Sequence, residues 1–139
     1  MKNENRHIEE LFKRLIRDTI FHFPKDGSTR DVGVPSKPGV YVIYSPTDTT
    51  DTIVHVGRTQ RARGGLRQRL DEHLHGQSSF TDKYLRGKGS ELRSGYKFRY
   101  LVVDNPRERG LLEALAIGKL CPEHFGLGEK AKLKGAGKK

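Results

Sequence analysis

The chain has no tryptophan, one methionine and one cysteine in 139 residues. The lone Cys121 excludes an internal disulfide and any zinc cluster built on cysteines. It closes an apolar helical pattern, so the expectation is a buried, inert thiol rather than a nucleophile. Long hydrophobic runs are also missing. Nothing approaches the ~20 apolar residues of a membrane span, and the first residues carry no signal-type apolar region. The expected setting is cytoplasmic, nucleoid-associated in a prokaryote, with no membrane partner. Apolar residues are only 33% of the sequence, yet they fall in clear runs and suffice for one modest core. Acidic residues are scarce: 27 Lys and Arg against 17 Asp and Glu give a formal net charge of +10. That balance calls for a polyanionic partner, nucleic acid or an anionic surface.

What is present sorts into a short series of elements. Ile8, Leu11, Phe12, Leu15, Ile16 and Ile20 recur at helical spacing among charged residues over 4–20. Prolines 24, 35 and 38 and glycines 27, 33 and 39 mark the following stretch as a connection that wraps the domain. "VYVIY" reads as a strand buried on both faces, "SPTDTTD" as a turn and "TIVHV" as the returning strand. Leu66, Leu70 and Leu74 form the stripe of a helix from Gly65 to His75, stopped by Gly76. Residues 77–94 are polar and irregular, with a short helix expected around Thr81–Leu85. "YKFRYLVV" is a third strand. Asn105, Pro106 and Glu108 then give the N-cap, first-turn proline and capping box of a last helix ending before Pro122. The order α-β-β-α-(α)-β-α is that of an α+β domain. Residues 1–37 are expected as an N-terminal helix and connection packed on the domain, 38–126 as the domain proper and 127–139 as a basic, flexible tail. Lys130, Lys132 and Lys134 in that tail would add electrostatic affinity for nucleic acid.

Alternation along the strands puts Tyr41 and Ile43 on one face, and Val54 and Val56 together on the face opposite His55. If the hairpin pairs in register, Tyr41 and His55 share a side. Each alone also reads as an ordinary strand residue. Arg69 and His73, at i and i+4, stack on one helix face. Around them "RTQRARGGLRQR" carries Arg58, Arg61, Arg63, Arg67 and Arg69 with no acid between. That run is a solvated face or a phosphate-binding patch, and the net charge favours the patch. Glu113 stands alone among apolar residues in "LLEALAI". A partly desolvated carboxylate needs a partner, and both a structural salt bridge and a divalent metal ion satisfy that demand.

Taken together these pieces resemble the GIY-YIG nuclease superfamily over about residues 38–122. Gly39-Val40-Tyr41 matches the first motif and His55-Val56-Gly57 the second, with His55 where a tyrosine is usual. "LRQRL" matches the helix pattern that carries the superfamily's phosphate-contacting arginine, here Arg69. His73 matches a histidine of some restriction-enzyme members, and Glu113, nine residues before Pro122, matches the metal-binding glutamate. Phe125 stands where many members have an asparagine.

The resemblance implies a small three-stranded antiparallel sheet flanked by helices, here with an extra N-terminal helix. It also implies phosphodiester hydrolysis with one Mg²⁺ on Glu113, for which Mn²⁺ would substitute. Tyr41 would take the proton of the attacking water, with His73 accepting the tyrosine's proton and Arg58 lowering its pKa. His55 is the alternative base. DNA is the expected substrate, and the sequence does not separate it from RNA. One such site cuts one strand, so double-strand cutting calls for a homodimer or two encounters. A reading from another class is a catalytically weakened scaffold that only binds nucleic acid.

Overall fold

The computed structural model describes residues 2–47, 52–60 and 64–124. Its centre is an antiparallel sheet of β1 (Phe21–His22), β2 (Gly39–Tyr44), β3 (Ile53–Arg58) and β4 (Lys97–Val102), in the order β1-β4-β2-β3. Four helices flank it: α1 (Lys2–Arg17), α2 (Gly65–Leu74), α3 (Ser79–Tyr84) and α4 (Pro106–Leu120). The expected α+β class and antiparallel sheet are found, with one strand more than the three expected. The extra strand is β1, two residues long, inside the stretch read as a connection. Two residues are too few to show alternation; what holds them is the stacking of Phe21 on Phe98 and Tyr100.

The sheet is the middle layer of three. On one face Val40, Val42, Tyr44 and Val56 pack against Leu11 and Leu15 of α1 and Leu112 and Ala116 of α4. On the other, Tyr41, Ile43, Val54 and Phe98 pack against Leu66, Leu70 and Leu74 of α2 and Phe80 of α3. Covered on both sides, β2 is buried at all six positions, which is why its sequence is a continuous apolar run. The N-terminal helix therefore shares a core with α4, and the ion pair Glu4–Arg107 (2.7 Å) and the contact of His7 Nε2 with Glu108 (3.2 Å) link them at the surface.

Three local expectations need correction. Val54 and Val56 do not share a face. The pairing slips between Ile43↔His55 and Tyr44↔Ile53, so a bulge at Val54 turns it to the cluster of Tyr41 and Ile43. Asn105 does cap α4, its side chain accepting from the Glu108 N–H at 3.0 Å, but Glu108 points to His7 instead of closing a capping box. Cys121 is exposed, because the helix ends on it in a left-handed conformation (φ 48°) that turns the side chain away from the core. The turn at 48–51, Arg61, Arg63, Phe125 and the tail with Lys130, Lys132 and Lys134 lie outside the described residues.

Candidate active site

Where β2 and β3 meet α2, α3 and α4, a cleft of about 290 Å³ opens to solvent. Tyr41, His55, Arg58, Arg69 and Glu113 all line it, together with Gly57, Gln60, Phe80 and His124. Residues from three separate parts of the sequence thus reach one site. His73 stands directly behind it, and Arg67 is not among the lining residues; its Nε donates instead to the Val34 carbonyl at 3.0 Å.

The two motif glycines are there for a steric reason. Gly57 is paired with Tyr41 across the hairpin, and the tyrosine ring lies over it. A Cβ on Gly57 would meet the phenolic oxygen and stand 2.5 Å from Cζ. On Gly39 it would meet the Leu101 carbonyl oxygen and come within 2.8 Å of Leu66 Cδ1. The first glycine lets β2 lie close to β4 and α2; the second makes room for the ring.

Tyr41 is fully buried, yet its hydroxyl has a partner: His73 Nε2 at 2.7 Å. Burial pushes the phenol up to about 12, against the pull of the nearby Arg69 guanidinium. His73 is also fully buried, and burial followed by the positive charge of Arg69 holds it well below the usual histidine range. At neutral pH the pair is therefore a phenol and a neutral imidazole. The other ring nitrogen, Nδ1, is 2.6 Å from Ser78 Oγ at the N-cap of α3.

His55 stacks on Phe80 with ring centroids 4.4 Å apart, and its Nδ1 lies 3.1 Å from His124 Nδ1. Burial, then the neighbouring His73 and His124, hold it well below the usual range too. Among the described residues its Nε2 has no hydrogen-bond partner. His124 reaches this place because residues 123–124 pair along β3, Glu123 N donating to the Ile53 carbonyl and His124 N to the Val54 carbonyl. Nothing in the sequence marked it; Pro122 signalled a helix end but not that the chain would turn back along β3.

The charged wall is formed by Arg58, Glu113 and Arg69. Arg58 Nε donates to Glu113 Oε1 at 2.8 Å, with side-chain exposures of 32% and 24%. The partner demanded by a carboxylate in an apolar helix is thus Arg58, which is not free to act on Tyr41 alone; the cation that favours the Tyr41 phenolate is Arg69. Arg69 NH1 bonds Glu72 Oε1 at 2.9 Å, while its Nε is buried without a partner among the described residues. No group of three or more metal-binding side chains occurs among the described residues. A single glutamate does fit an ion such as Mg²⁺, which takes one or two carboxylates, keeps several waters and accepts phosphate oxygens. Glu113 offers hard oxygen donors on the wall of an open cleft, and Arg58 engages one of its two oxygens.

No family model matches the chain. It is similar to UvrABC system protein C of Clostridioides difficile (strain 630), 29% identical over 91 residues, which are 66% of this chain and 13% of that protein. The chain thus spans 13% of the length of that curated relative. Among solved structures it is similar to the GIY-YIG N-terminal endonuclease domain of UvrC from Thermotoga maritima. The magnesium-bound form is 24% identical with a TM-score of 0.46, covering 68% of this chain and 90% of that one. A point mutant bound to its catalytic divalent cation is 23% identical with a TM-score of 0.49, covering 71% and 93%.

Proposed function

We propose that this GIY-YIG-like domain is a divalent-metal-dependent endonuclease that hydrolyses phosphodiester bonds in DNA. One observation carries the reading: Tyr41 from β2, Arg69 from α2 and Glu113 from α4 line a single solvent-open cleft. A proton acceptor, a guanidinium and a hard carboxylate within one cleft are the parts that phosphodiester hydrolysis needs.

Glu113 would hold Mg²⁺, or Mn²⁺ in its place. When bound, the ion supplies Lewis-acid stabilisation of charge on the phosphate. Arg69 would meet the phosphate through its planar fork of donors, for which lysine is a poor substitute. Its place on the wall of the cleft beside Tyr41 supports that role. A phenol with its pKa near 12 does not ionise on its own at neutral pH. Tyr41 therefore acts with His73: it passes its proton to Nε2 as it accepts one from the attacking water, so the phenolate need not accumulate. His73 is neutral in the resting site, which leaves it able to accept, while burial and the Arg69 charge make the imidazolium a transient that returns its proton. His55 is the less suited base, since its ring stacks on Phe80, its Nδ1 lies against His124, and burial weakens its hold on a proton. Arg58 and Gln60 border the cleft and would position the backbone of the nucleic acid. The tail lysines and the overall charge of +10 would supply non-specific affinity.

A second reading, a binding module without chemistry, draws on the Arg58–Glu113 ion pair, which gives the glutamate a structural reason to exist. Supercoiled plasmid incubated with Mg²⁺ or Mn²⁺, with and without EDTA, separates the two. The nuclease nicks it in a metal-dependent way and Glu113→Ala stops nicking. Tight DNA binding without cutting, unaltered by Glu113→Ala, decides for the module.

A further inference from the structure

We infer that Ser78, at the N-cap of α3, is a positioning residue that fixes the tautomer of His73 and so aims the Tyr41 proton away from the cleft. The inference rests on the proposed chemistry for its consequence, but not for its geometry.

The hydroxyl protons can be followed one by one. Thr81 Oγ1 donates to the Ser78 carbonyl at 3.1 Å, which uses its only hydrogen. Thr81 Oγ1 is then an acceptor toward Ser78, and Ser78 Oγ, 2.9 Å away, gives it its own hydrogen. Ser78 Oγ is left with lone pairs only. One accepts the Thr81 N–H at 3.2 Å, closing the capping box. The other faces His73 Nδ1 at 2.6 Å, so the arrangement that keeps all of these contacts, the Thr81 hydroxyl to the Ser78 carbonyl included, puts the proton on Nδ1. His73 is a neutral imidazole, so Nε2 is then a bare lone pair, and the contact of 2.7 Å is donated by Tyr41 O–H. The opposite arrangement, with Nε2 protonated, would leave the Tyr41 hydrogen to find another acceptor. Ser78, Thr81, His73 and Tyr41 are all buried, so the chain of bonds is held against exchange with water.

The consequence follows from direction. With its hydrogen committed to Nε2, Tyr41 Oη has its lone pairs left for Arg69 and for the cleft that both residues line. That is the orientation required of a group that accepts a proton from water. α3 therefore does more than roof the site: its capping residues determine which way the proton moves. Ser78 touches neither substrate nor reacting atoms and acts through His73.

Long-range ¹H–¹⁵N correlation of the imidazoles in ¹⁵N-labelled protein reads the tautomer directly near neutral pH, whether or not the protein cleaves DNA. Wild type is expected as Nδ1–H at His73. Ser78→Gly removes Oγ while glycine remains a tolerated N-cap, and should give a mixture or the Nε2–H form. Ser78→Thr should restore Nδ1–H, and thermal melts identify any variant that fails to fold. On plasmid, Ser78→Gly should lower kcat by about 10- to 100-fold, the scale for losing a partner that orients a histidine, with KM unchanged. Nε2–H in wild type would overturn the inference, as would Ser78→Gly with tautomer and kcat both unaltered. A wild type that never cleaves but shows Nδ1–H, lost in Ser78→Gly, would sustain the positioning and refute the nuclease reading.

Discussion

Replacing Gly57 with alanine adds one carbon at the place where the Tyr41 ring lies. The new Cβ would stand 2.5 Å from Tyr41 Cζ and 3.0 Å from Cε1, where carbon atoms normally keep ~3.5–4.0 Å. The ring must shift by roughly 1 Å to restore that spacing. It has little freedom to do so, since Tyr41 is fully buried and Phe80 and His73 bound its side of the sheet. A shift of that size stretches the 2.7 Å bond to His73 beyond useful hydrogen-bond distance. Overpacking and the loss of a buried hydrogen bond together cost about 2–4 kcal/mol. For a domain of this size that lowers Tm by roughly 4–16 °C. Urea unfolding and thermal melts would measure the cost, and plasmid nicking near room temperature would measure the site. Tyr41→Phe provides the cycle: with the hydroxyl gone, Gly57→Ala should cost at least about 1 kcal/mol less, because the hydrogen bond is no longer at stake and the phenolic oxygen, the atom nearest the new Cβ, is absent. A Gly57→Ala protein with wild-type stability and activity would refute the claim that the glycine exists to admit the ring.

Other consequences are as direct. Arg58→Ala removes a competitor for Glu113 that is about one-third exposed, so calorimetry should show Mg²⁺ binding tighter by about 1.5- to 5-fold, the equivalent of an ion pair worth ~0.2–1 kcal/mol. Unchanged or weaker binding would mean that Arg58 does not compete for the carboxylate. Burial holds His55 and His73 well below their ordinary 6.5, so the unfolded chain binds their protons first as pH falls. Their contribution is complete above that value and is lost below it, at up to about 1.4 kcal/mol per pH unit for each histidine. Denaturation between about pH 7 and pH 5 should show this slope, and removal of both histidines should flatten it. Asn105→Ala takes away the cap of α4 and should cost about 1 kcal/mol with nicking near wild type at room temperature.

The legible parts of this fold were those written as repeated patterns. The continuous apolar run of β2, the leucine stripe of α2 and the Asn-Pro start of α4 each report burial over many residues. Glu113 stood out because a carboxylate in such a run demands a partner, and Tyr41 because it completes the Gly-Val-Tyr motif on a strand facing His55. The partner itself was not legible: Glu113 could take a metal or any of several arginines, and only the fold brings Arg58 to 2.8 Å. β1 was missed because two residues carry no period and are held by stacking across the sheet. The bulge at Val54 was missed because it breaks alternation at a single residue, and with it went the correct face of that valine. His124 depends on a backbone turn that no side-chain pattern encodes, and Ser78 is an ordinary N-cap whose contact with His73 only the fold brings about. Cys121 was judged by its apolar neighbours, whereas its exposure follows from the left-handed residue that ends α4.

The central claim is that Tyr41 and Glu113, held on different layers of the fold, act on one phosphate in one cleft. Single-turnover plasmid cleavage with wild type, Tyr41→Phe, Glu113→Gln and the double variant tests it most directly. Each single change should remove cleavage by about 10²-fold or more, and the double should be little worse than the weaker single, as for groups that work as a unit. Substantial cleavage by either single variant, or losses that simply multiply in the double, would contradict it.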